Sequence, residues 1–167
     1  MNRDGYDKTP SGMHLLQTMV GQKCWHVSAG GATVPSFLVV MGDRIPRKTP
    51  LANAAQPDEF RQARGSIELL VWSAWRVQTD TEVLASSDQG EVGLDAVRSL
   101  VGIEITAVEC DPPAWDLRLR FSNGHTIATF SDHVEPDASI AQNWDFWAEG
   151  RRIHAGPGSV WDEGAEE

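Results

Sequence analysis

The chain has 167 residues, 41% of them hydrophobic and 23% charged, with a net charge of -10. This is the size and composition of one ordinary globular domain; it excludes compositional disorder except at the ends, and the longest apolar run, residues 37–41, is far short of the roughly 20 residues of a membrane-spanning helix. A primary nucleic-acid partner is excluded as well, because phosphate backbones demand surplus cationic side chains.

In chain order, residues 1–12 are polar and lack an apolar run after a basic start. No secretory leader is expected, and the chain is expected to stay in the cytoplasm. Arginine outnumbers lysine 11 to 3, a composition that suits a GC-rich bacterial genome. Ser11 is placed to cap a helix carrying Met13, Leu16 and Val20 and ended by Gly21. Strands are expected near 23–28, 36–41 and 44–46. A polar connection follows over 47–64, with Pro50 and Pro57. Residues 66–77 and 81–86 read as a hairpin. In its first strand Ile67, Leu69, Val71, Trp75 and Val77 share a face, with Leu70 and Trp72 on the other, so burial on both sides is expected.

The segment 88–91, DQGE, resembles a capping box with Asp88 as its cap. Leu94, Val97, Leu100 and Val101 recur at helical spacing, and Gly102 stands where a left-handed cap is wanted. This gives a helix over 91–100. A strand with Ile103, Ile105 and Ala107 on one face is broken by Asp111, Pro112 and Pro113. Trp115, Leu117, Leu119 and Phe121 alternate with Asp116, Arg118 and Arg120, the cleanest period-two pattern in the chain. Asn123-Gly124 is a strong hairpin signal, with a returning strand over 125–130. After an acidic loop, 143–148 and 151–155 form a hairpin around Glu149-Gly150.

The chain is doubled. LQTMVGQKCWHV (16–27) aligns without gaps to VRSLVGIEITAV (97–108). With a one-residue shift MGDRI (41–45) matches NGHTI (123–127), and WSAWRV (72–77) resembles WDFW (144–147), with Arg151 and Arg152 close behind. The order of landmarks is the same in both halves, about 11–88 and 89–161, with 1–9 and 162–167 expected to be disordered. The implied fold is α+β and mostly antiparallel, with about ten strands and two short helices around one shared core, as a barrel or as two sheets.

Charge is uneven. Residues 1–90 carry nine acids and nine Lys/Arg, whereas 91–167 carry fifteen acids against five Arg. Asp132, Glu135 and Asp137 in the loop, with Asp162, Glu163, Glu166 and Glu167 in the tail, concentrate the excess. Such a surface attracts a basic partner, although it also serves plain solubility.

Seven tryptophans are present. Trp72 and Trp75 have the spacing of Trp144 and Trp147, and positions three apart on a strand point to opposite faces. One of each pair enters the core and the other is available to a partner. His125, Asp132, His133 and His154 match no metal spacing. Cys24 and His26 share a strand face but lack an oxyanion donor or orienting carboxylate, and the glycine-rich 154–159 has no helix after it to hold phosphate. Both cysteines are expected as buried free thiols. No catalytic set, metal or cofactor is expected.

LRLRFSNG (117–124) and GSIELLVWSAWR (65–76) resemble small bacterial proteins classed as domains of unknown function, some of which look like immunity partners of secreted toxins. The resemblance implies a small binding protein and assigns no catalytic residue. The expected function is a non-enzymatic protein-binding module, immunity-like or regulatory, that sets its acidic second half, with Trp72, Trp75, Trp144, Trp147, Asp132, Glu135 and Asp137, against a basic partner. Two other readings stand beside it: a small-molecule-binding protein or enzyme with a Trp- and His-lined pocket between the halves, and a structural homodimer joined at strand edges.

Overall fold

A computed structural model describes residues 9–30, 34–135 and 142–166. A 3-10 helix, Ser11–Met19, opens the described chain, followed by β1 (His26–Ala29), β2 (Phe37–Pro46), α1 (Asp58–Gln62), β3 (Ala63–Val71), β4 (Ala74–Gln78) and β5 (Val83–Ser86). After a 3-10 turn, Ser87–Gln89, come α2 (Glu91–Arg98), β6 (Ile105–Asp111), β7 (Asp116–Phe121), β8 (Thr126–Phe130), β9 (Trp144–Ala148), β10 (Arg151–Ala155) and β11 (Trp161–Ala165). The strands form two antiparallel sheets, ordered β1-β2-β3-β9-β10-β11 and β5-β4-β8-β7-β6. Neither closes into a barrel among the described residues, so the fold is the two-sheet alternative.

The topology has an internal symmetry of the kind a duplicated chain would produce. Each half lays a three-strand meander in one sheet and sends its following hairpin to the other. Exchanging β1-β2-β3 with β6-β7-β8, and β4-β5 with β9-β10, converts one strand order into the other, except for β11, an added edge strand without a counterpart. Lys23 bridges Glu104, and these are partners in the 16–27/97–108 alignment. Gly21 N donates to Ile105 O at 2.8 Å, and Gly102 N to Cys24 O at 2.7 Å. Both glycines adopt positive φ, +84° and +83°, which L side chains resist. Gln17 reaches the carbonyl of Val108 and Arg98 that of Ala29, so each helix clips the other half's first strand.

One hydrophobic cluster spans both sheets, with Phe37, Leu69, Trp75 and Val77 beside Leu94, Leu117, Trp144 and Phe146. Alternation places these side chains inward and their neighbours outward. Trp75 and Trp144 are 1% and 0% exposed, and their Nε1–H groups donate to the carbonyls of Pro35 and Trp115, one or two residues before β2 and β7. These two are therefore the equivalent tryptophans. The sequence match of Trp72 to Trp144 and Trp75 to Trp147 is out of register by three.

Several other boundaries differ from expectation. Segments 36–41 and 44–46 are one strand, β2, with a bulge between Met41 and Arg44; Gly42 (φ +71°) supplies the bulge rather than a hairpin turn. Segment 66–77 is two strands, because the chain changes sheets at Trp72 and Ser73, whose amides both donate to Asn143 O. Trp72 is 37% exposed, so that crossover is not buried on both sides. Ser11 does not cap its helix, since its hydroxyl donates to Glu163. The capping box before α2 lies at Ser86 and Gln89 instead of Asp88. Residues 162–165, expected to be disordered, belong to β11, which pairs with β10; residues 1–8 lie outside the described residues.

Candidate functional site

Insertion 47–62, absent from the second half, folds over the outer face of β1–β3. Phe60 on α1 is 4% exposed and stacks on His26 at 4.3 Å, and Val40 beneath is fully buried. Among the described residues no helix or insertion lies over the outer face of β9–β11. The hairpin at Glu149-Gly150 sets Asp145 opposite His154 and Trp147 opposite Arg152; β11 adds Asp162 beside His154 and Gly164 beside Arg152. Being of one parity, these residues all point outward.

Asp145 is the anchor, with only 1% of its side chain exposed. Arg152 donates to its Oδ1 through Nε at 2.8 Å and Nη2 at 2.5 Å, and His154 Nδ1 lies 3.2 Å from the same oxygen. A carboxylate this deep requires such partners. The Arg152 guanidinium also lies over the Trp147 ring, 5.8 Å from its centroid. Trp147, Arg152, His154 and Asp162 line a cleft of about 270 Å³.

Trp147 is also a wall of a second cleft, about 620 Å³, lined on its other sides by Arg47, Lys48, Arg64, Glu68 and Glu166. Arg64 pairs with Glu166. Arg47 is held over the Phe60 ring, 5.0 Å from the centroid, and its Nε donates to Phe60 O. Glu68 accepts from Gly65 N at 3.0 Å; burial pushes its carboxyl up, against the opposing pull of that amide and of Arg47 and Arg64.

The internal symmetry of the strand orders separates framework from site. Trp75 corresponds to Trp144 and, through the pairs Val77–Ala85 and Phe146–Ile153, Ala85 corresponds to Ile153. Asp145, Trp147, Arg152 and His154 then stand where the other sheet has Arg76, Gln78, Leu84 and Ser86. The fold needs the buried tryptophans twice and the outward cluster once.

Of the tryptophans singled out from sequence, Trp75 and Trp144 are core and unavailable to a partner, because both rings are sealed and their N–H groups are used. Trp147 belongs to the open face, and Trp72 is partly exposed at the crossover. Asp132 and Glu135 are exposed on the loop after β8, joined to the β10–β11 turn by Gly158 N donating to His133 O; Asp137 lies outside the described residues. His133 faces Asp132 at 3.4 Å, whereas His154 is committed to Asp145. Among the described residues no group of three or more His, Cys, Asp or Glu is arranged to hold a metal. Arg76 stacks on Phe130 rather than on a tryptophan.

Cys24 and His26 do not form a dyad. The thiol donates to the His26 carbonyl and the ring meets Gln56. Burial pushes the Cys24 thiol up to about 11 and that of Cys110 to about 12, the latter helped by Asp111 and Asp116. Both cysteines are free and neither is a thiolate at neutral pH. The described helices include none long and apolar enough to cross a membrane.

The sequence does not single out Asp145, Arg47, Lys48 or Glu68, and it offers Asp162 only as one of the acids of the tail. A signal for Asp145 existed: it is the one acid in WDFW, and pairing outward from Glu149-Gly150 places it against His154. No family model, curated protein or solved structure matches this chain.

Proposed function

We propose that this protein is a non-enzymatic protein-binding module of a bacterial cytoplasm, and that it receives its partner on the outer face of β9–β11. The carrying observation is the Asp145, Trp147, Arg152 and His154 cluster, built on one sheet beside the part of that face that the insertion covers, with no element over it among the described residues. A half-buried tryptophan flanked by an ordered arginine is the chemistry of an interface anchor. Asp145 holds Arg152 and His154 in fixed positions, which lowers the ordering cost of contact.

The exposed acids Asp162, Asp132 and Glu135 support a basic segment of the partner at that end, where they raise the association rate and make binding salt-sensitive. An immunity-like or regulatory role, neutralising a basic protein, suits such a surface. The groups that chemistry would use are bonded to one another, so the cluster reads as a recognition surface rather than a reaction centre.

The test is cross-linking capture with four forms of the chain. Wild type is expected to retain a specific protein, released by moderate salt. Trp147→Ala and Asp162→Lys are expected to reduce its recovery at least tenfold, a typical anchor effect. Val92→Ala, changed on the exposed side of α2, should retain it fully. Equal recovery by all three variants would remove this face from the proposal, and recovery of nothing specific would remove the binding reading.

A further inference from the structure

The second cleft carries charge of the opposite kind from the acidic end. Arg47, Lys48 and Arg64 converge on it around Trp147. Arg64 has Glu166 as its counter-ion, but Arg47 and Lys48 form no ion pair among the described residues. Arg47 is nevertheless ordered, pinned by Phe60 beneath it and by the Phe60 carbonyl. An arginine fixed by a ring and a carbonyl rather than by a carboxylate in ion-pair contact, next to a lysine, is the arrangement that receives an anion. Glu68 in the cleft opposes this less than an exposed carboxylate would, because burial favours its neutral form.

We infer that the cleft bounded by residues 45–49, Arg64, Trp147 and Gly150 is a subsite for an anionic group of the bound partner, a carboxylate or a phosphate, held by Arg47 and Lys48. The inference rests on the reading of this sheet face as the recognition surface and adds the chemistry of its second end. The face is thereby polar along the strands. Asp162 and the loop acids sit toward the Trp144 end of β9, and the cations sit toward the Ala148 end. The segment that fits runs across Trp147 with a cation at one end and an anion at the other.

The experiment follows the indole N–H signals of the full, isotope-labelled chain, with Trp147 assigned through Trp147→Phe. Inorganic phosphate and N-acetylglycine are titrated separately at constant ionic strength. A saturable shift of the Trp147 signal is expected with at least one of them, and its dissociation constant should rise at least tenfold in the Arg47→Ala/Lys48→Ala double variant. The other six indole signals, unchanged in that variant, report that it is folded. Tighter binding of phosphate assigns a phosphorylated group, and tighter binding of N-acetylglycine assigns a carboxylate.

A shift that does not saturate by about 50 mM, or one that the double variant leaves unaltered, overturns the inference. Partner capture that is lost with Trp147→Ala but intact in the double variant would retire the anion subsite while leaving the recognition surface in place.

Discussion

Trp75 and Trp144 do the same work in the two halves, filling the core with a ring and tying a strand entry with an N–H. Trp75→Phe and Trp144→Phe keep most of the ring but orphan the carbonyls of Pro35 and Trp115. Each is expected to cost about 1–3 kcal/mol in chemical denaturation. The two costs should be of similar size, since each variant loses one buried N–H donor to a carbonyl. A large inequality would argue against their equivalence. Arg152→Ala acts differently, leaving Asp145 buried with only His154 beside it. The expected loss is about 1–3 kcal/mol, below the figure for a fully buried pair because Arg152 is 42% exposed. Periodicity alone reveals that one tryptophan of each pair points inward. It does not reveal which tryptophans correspond, because the crossover at Trp72 and Ser73 resets the count of residues between landmarks.

Elements that the chain specifies locally were legible. The alternation in β7, the Asn123-Gly124 turn and the glycine stops at Gly21 and Gly102 follow from near-neighbour sterics. Elements set by distant contacts were not. β11 reads as a solvated acidic tail until Glu163 is seen accepting from Gly12 N at 2.8 Å and Trp161 Nε1 at 2.7 Å, with Arg151 at 2.8 Å. The helix glycines make a paired test, since Gly12 and Gly93 are equivalent under the alignment. A β-carbon on Gly93 would stand 2.4 Å from Ser86 O, a backbone atom, and 3.3 Å from the Trp75 ring. On Gly12 the three nearest atoms would all belong to the Glu163 carboxylate, a side-chain end that can give way where a backbone oxygen cannot, at the expense of some of its hydrogen bonds. Gly93→Ala should therefore destabilise by about 1–3 kcal/mol, despite the ~1 kcal/mol that alanine gains in a helix. Gly12→Ala should cost clearly less. Thermal melts of the two variants compare them directly.

For the molecule as a whole, two carboxylates of the six-stranded sheet bend its pH–stability curve in opposite directions. Glu163 meets a burial penalty that raises its pKa, but Trp161 Nε1–H, Gly12 N–H, the Ser11 hydroxyl and Arg151 together hold it below the ordinary glutamate value of 4.5. The folded state then binds fewer protons than the unfolded one, so Glu163 contributes stability above that value and loses it as pH falls through the folded pKa. Glu68 is pushed above 4.5, chiefly by burial. Here the folded state binds more protons, so the contribution present below 4.5 is lost as pH rises through the folded pKa. Glu163→Gln should lower stability at pH 7 and have a smaller effect near pH 3. Glu68→Gln should raise stability at pH 7 while keeping the Gly65 contact, and should flatten the decline above pH 4.5. Denaturant midpoints of the three proteins from pH 3 to 8 measure both effects. Curves that move in the same direction would mean that the Gly65 amide, Arg47 and Arg64 outweigh burial at Glu68, and Glu68 would then oppose an anion docking in the cleft.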